Sequence, residues 1–131
     1  MRRALFLAGL VCLAVLTTKA QDPVNVDPKH FKVEFQNDQV RVLRYKAGPH
    51  EKVPMHEHPA YVVVPVTDAH TKFTLPDGKT TETHSKAGDV AWRAAEKHAA
   101  ENLSDKPVEV IIIELKAKPA AAKAPGAKKK G

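Results

Sequence analysis

Between Val33 and Leu115 the chain never sustains a helical period, and Arg93 to Asn102, its one Ala-rich contender, lacks an apolar stripe. Short β-patterned runs broken by turn residues take its place. Val33-Glu34-Phe35 alternates, Asn37-Asp38 supplies a turn, and Val40 to Tyr45 reads as a second strand. Tyr61 to Val66 is a β-branched run and Lys72 to Leu75 alternates again. Pro76-Asp77-Gly78 marks a tight hairpin, because Pro presets φ and Gly accepts a positive one. Lys79 to His84 returns from it, Lys86 to Asp89 turns, and Val90 to Trp92 follows. His98 to Leu103, the turn Ser104 to Pro107, and Val108 to Leu115 complete a set of about eight strands. The expected class is all-β, a small jelly-roll barrel that hides most of its edges.

The ends read differently from this middle. Met1-Arg2-Arg3 is a cationic start, Ala4 to Leu16 is apolar, and Thr18 and Ala20 are the small residues before a cleavage point. Residues 1–20 are therefore expected to be a cleaved signal peptide, which places the mature chain in the periplasm or outside the cell. The apolar run falls short of the ~20 residues that span a bilayer, so no stable membrane insertion is expected after cleavage. Cleavage removes Cys12, the single cysteine, which excludes disulfides, thiolate catalysis and cysteine ligation in the mature chain. Residues 116–131 contain only Lys, Ala, Pro and Gly and read as a disordered cationic tail. The formal charge of +6 arises at these ends, since residues 21–115 hold 12 basic and 15 acidic side chains. That distribution offers no folded basic patch, and a nucleic-acid partner is not expected.

The chemistry concentrates in the seven histidines. In an extended segment, positions two apart share a face, so His56 and His58 point one way and Glu57 the other. Two neutral imidazoles so placed can bind one metal ion. By the same alternation His98, Ala100 and Asn102 share a face, and a third histidine beside the first two would complete the set. His84 is expected on an exposed strand position, and His30, His50 and His70 on loop surfaces. Trp92, the one tryptophan, is expected in the core. No phosphate loop, Gly-x-Ser-x-Gly or His-Glu-x-x-His pattern is present.

With these motifs in order, the chain resembles a small single-domain cupin, a germin-like jelly-roll barrel, over residues 31–115, preceded by an N-terminal extension at 21–30. Gly48, His56 and His58 match the family's first motif in order, with a longer Gly-to-His gap. Gly88, His98 and Asn102 match its second, with Arg93-Ala94-Ala95-Glu96 in place of Pro-x-Gly. The resemblance implies a divalent metal held by His56, His58 and His98. The family's acidic ligand would fall at position 62 or 63, and both are Val. Tyr61, Glu96 and Glu57 are the substitutes, with Tyr61 ranked first, and Tyr61, Glu96 and Asn102 are expected to line the site. A site of neutral ligands favours an anionic small molecule as partner. Imidazoles suit Fe, Zn, Mn, Ni and Cu without distinguishing them. The resemblance implies a small-molecule metalloenzyme of dioxygenase or isomerase type or, as the alternative, a non-catalytic binding module. Because cupins often dimerise, a homodimer is among the expected partners.

Overall fold

The computed structural model describes residues 21–117. The expected signal peptide, and the expected tail beyond Ala117, lie outside the described residues. A short helix α1 (Pro23–Val26) precedes nine strands: β1 (Phe31–Gln36), β2 (Val40–Ala47), β3 (Lys52–His58), β4 (Tyr61–Pro65), β5 (Ala69–Thr74), β6 (Thr80–Ser85), β7 (Ala91–Arg93), β8 (Glu96–Asn102) and β9 (Val108–Leu115). They form one five-stranded sheet, β1-β2-β9-β4-β7, and one four-stranded sheet, β3-β8-β5-β6, with every pairing antiparallel. The two sheets of this jelly roll enclose Phe31, Leu43, Tyr45, Val53, Tyr61, Val108 and Ile112.

Local chemistry explains most element ends. Asp22 caps α1 by accepting hydrogen bonds from the Val24 and Asn25 amides, and Pro23 opens the helix where its missing N–H costs nothing. In the β5–β6 hairpin Gly78 adopts φ of 84°, and Asp77 accepts the Lys79 amide at 3.0 Å. The strand missing from the sequence reading is β3, disguised by Pro54 and by a bulge that breaks its alternation. Pro54 is tolerated because the β3–β8 register shifts between Val53 and His56, where a ladder donor is not required.

Three expectations are corrected here. Trp92 is 59% exposed rather than in the core: it pairs with Val62 on the outer face of the five-stranded sheet, on the short edge strand β7. His30 is buried rather than on the loop surface. Its ring lies 2.6 Å from Asp27 and 3.0 Å from Glu51, tying the segment before β1 to the β2–β3 loop. Lys29, the Gly48 amide and His30 hold the Glu51 carboxyl down at about 2. Asn102 is buried, but it staples loops instead of lining the site. Its Nδ2 donates to the Gly48 and Lys106 carbonyls at 2.9 and 2.8 Å, and its Oδ1 accepts from the Ser104 amide and hydroxyl. Asn102→Ala is expected to lower stability by about 2 kcal/mol or more, measured by urea unfolding, because it removes the buried amide that bridges the Gly48 and Lys106 carbonyls and accepts from Ser104.

Candidate metal centre

The histidine cluster is assembled by a parity change in β3. Val53 and His56 are an odd number of residues apart, so a regular strand would turn them to opposite faces. The bulge between them resets the alternation, and Val53, His56 and His58 are all buried inward. His98 sits directly across from His56 on β8. The ring centroids of His56 lie 4.9 Å from His58 and 4.8 Å from His98, and His58 and His98 are 5.6 Å apart. One ligating atom from each lies within 4.8 Å of the others, near enough to share one ion.

Each ring is oriented by what surrounds it. The His56 Nδ1–H donates to the Pro54 carbonyl at 2.8 Å, since that oxygen only accepts. The His58 Nδ1 lies 2.6 Å from Glu114 Oε1 and donates to that carboxylate. Both rings are thereby held in the tautomer that leaves Nε2 with a free lone pair, the usual outer support of a metal-binding imidazole. The His98 Nδ1 is buried without a hydrogen-bond partner, 3.5 Å from Glu96 Oε1. Among the described residues, no other group of three or more His, Cys, Asp or Glu side chains could hold a metal ion.

Glu114 is the participant that the sequence reading missed. It lies 56 residues from His58 in the chain, whereas the substitutes considered were neighbours of the two motifs. The signal was nevertheless present: Val108, Val110, Ile112 and Glu114 share one face of an apolar strand, and an acid on such a face needs an internal partner. Glu114 is 1% exposed and also accepts from Arg41 Nε at 2.6 Å, and Arg41 reaches Asp22 at 2.5 Å. Tyr61, ranked first as a replacement ligand, instead donates its hydroxyl to Glu96 Oε1 at 2.5 Å. Glu57 is exposed and faces away.

The three histidines lie in the wall of a cavity of about 550 Å³ whose apolar lining includes Phe31, Val63, Phe73, Val110 and Ile112. His84 also borders it, exposed and stacked 3.9 Å from His70. His50 is exposed and pairs with Asp105.

No protein-family model and no functionally described protein matches the sequence. The fold has clear counterparts among solved structures. A cupin domain from Bordetella pertussis Tohama I is 28% identical at a TM-score of 0.62, covering 66% of this chain and 92% of its own. An RmlC-like cupin with a double-stranded β-helix fold from Methanocaldococcus jannaschii is 12% identical at a TM-score of 0.53, covering 66% and 78%. The chain has the double-stranded β-helix fold of these cupin structures. An oxalate decarboxylase is 21% identical at a TM-score of 0.52 over 76% of this chain and 29% of its own.

Within this fold, burial keeps the His56 and His98 imidazoles neutral. Burial pushes the His56 pKa down to about 4, against a smaller opposing effect of its bond to Pro54. Burial, and then the proximity of His56 and His58, pushes His98 down to about 3. Burial works the other way on Glu114, but the hydrogen bonds from His58 and Arg41 outweigh it and hold its carboxyl below the usual range. The neutral rings of His56 and His98, with the carboxylate of Glu114 behind His58, fit a divalent cation, as does the partnerless nitrogen of His98.

Glu114→Gln is expected to weaken metal affinity about 10–100-fold in competition with a chelating dye, because it removes the carboxylate behind His58. A pH dependence follows from the folded values of about 4 and about 3 for His56 and His98, against 6.5 for the free side chain. As pH falls through 6.5 the unfolded chain takes up protons that the folded chain refuses. The metal-free protein should therefore lose stability from about pH 6.5 down towards 4, at up to about 1.4 kcal/mol per pH unit for each ring. Urea midpoints measured across that range in excess chelator check this, and a flat profile would contradict it.

Proposed function

We propose that this chain is an exported cupin that holds a divalent ion on His56, His58 and His98 and binds a small anionic molecule beside it, as a metalloenzyme of dioxygenase or isomerase type. The observation that carries the proposal is the convergence of three buried imidazoles, two of them anchored through Nδ1 by Pro54 and Glu114. The ion, when bound, supplies Lewis-acid polarisation of a ligand oxygen. The protein's own contributions are local. Phe31 packs on His56 at 5.0 Å and Phe73 on His98 at 4.9 Å, which keeps water from the rings. Tyr61, 4.9 Å from the His58 ring, has its pKa raised by burial and by Glu96, so it holds its proton through the neutral range. It is positioned as a hydrogen-bond donor rather than a base. Export rests on the cationic, apolar and small-residue pattern of residues 1–20.

The second reading, a binding module without turnover, is favoured by one specific observation. The carboxylates nearest the histidines are engaged, Glu114 by His58 and Arg41 and Glu96 by Tyr61, so no idle general base stands beside them.

Protein recovered from outside the cytoplasm is expected to begin at Gln21 by intact mass and to carry about one divalent ion per chain by elemental analysis. The double variant His56→Ala/His58→Ala should lose that ion. Equal and negligible metal in both proteins would end the metal reading. Retained metal with thermal stabilisation by small carboxylates, but no turnover of any, would select the module.

A further inference from the structure

Three arginines fall within the described residues, and two are fully committed: Arg41 to Asp22 and Glu114, Arg44 to Glu34 and Glu109. Arg93 makes no hydrogen bond or ion pair among the described residues, yet it lines the cavity. Register settles its orientation. Arg41, Glu114, Tyr61 and Arg93 are successive cross-strand partners over β2, β9, β4 and β7, and the buried Glu114 and Tyr61 show that this row faces inward. The row carries a cation, its anion, a hydroxyl, and then a second cation with no anion.

The guanidinium of Arg93 lies over the Phe73 ring at 5.3 Å, and that ring is 4.9 Å from His98. A guanidinium held over an aromatic ring by a cation–π contact keeps its N–H groups available for a bidentate acceptor. Asp89, the acid that also lines the cavity, is exposed and accepts the Lys86 amide at 2.7 Å. A half-buried cation with no anionic partner, in a cavity whose one acid already accepts from Lys86, is matched by one planar anion, a carboxylate. The two ring distances keep the guanidinium close enough to the histidines for one small molecule to touch both.

We infer that Arg93 is the specificity-determining residue of the cavity, selecting small carboxylic acids whose apolar body packs on Phe73 while the far end points to the three histidines. This inference takes from the proposed function its small-molecule site, but not its metal. The carboxylate sits on Arg93, so the three imidazoles face the opposite end of the ligand.

The test is calorimetric binding of 3-phenylpropanoic acid and its primary amide to metal-loaded and chelator-treated protein. The acid is expected to bind at least about tenfold more tightly than the amide in both forms, the scale of one charge-assisted hydrogen bond. Arg93→Gln should erase that preference and Arg93→Lys should keep part of it, with melting temperatures reporting that both variants fold. An acid preference that survives Arg93→Gln, or an absence of acid preference in the wild type, overturns the inference. A preference that disappears with the chelator but not with Arg93→Gln puts the carboxylate on the ion, which refutes the role of Arg93 while leaving the metal reading intact. If the protein holds no metal but the Arg93-dependent preference persists, the metal reading fails and this one stands.

Discussion

A carboxylate in the middle of a five-stranded sheet must be answered from within the protein, and Glu114 is the point around which this structure is organised. Burying an unpaired carboxylate costs several kcal/mol, so its two oxygens need donors of fixed position. His58, from the opposite sheet, donates to one oxygen, and Arg41, from the neighbouring strand, to the other. Arg41 then reaches Asp22, which caps α1. One buried charge thus links the N-terminal helix, both sheets and a site histidine. Such a chain of ionic hydrogen bonds is no more stabilising than a well-packed apolar core would be, but it admits very few alternative arrangements. Positional definition is what a ligating imidazole requires.

The bulge in β3 is the second device on which the site depends. It allows Val53 to remain in the core while His56 and His58 turn the same way, and it does so at Pro54, which has no amide hydrogen to lose. The resulting cluster is unfavourable as a piece of protein interior, with three polar rings and one partnerless nitrogen among aromatic neighbours. Local rules broken in this way tend to mark functional sites, where a bound group completes what the chain leaves unsatisfied.

The cavity wall shows the same division of labour. Its aliphatic and aromatic lining excludes water and strengthens any electrostatic contact made inside it. Beside it, one inward row of polar side chains crosses the five-stranded sheet and reaches the cavity at Tyr61 and Arg93. At one end of that row the charges cancel between Arg41 and Glu114. At the other end Arg93 has only an aromatic ring beneath it.

Much of this was legible along the chain. Alternation and turn residues are local properties, so the strands from Tyr61 onward, the Pro76-Asp77-Gly78 hairpin and the shared face of His56 and His58 could be read directly from residue order. Strand β3 was hidden because its bulge breaks the very alternation that reveals strands. The placements of Glu114, His30, Asn102 and Trp92 follow from pairing and sheet-to-sheet packing, which join residues far apart in sequence. Trp92 shows the limit most plainly: hydrophobicity says that a side chain benefits from burial, but only the partner across the strand, Val62, decides that it faces outward. The amino-acid order determined which segments extend, where they turn and which neighbours share a face, because those preferences act within a few residues. The tertiary structure alone decided which faces meet, because register and packing are set by contacts that no short stretch of chain contains.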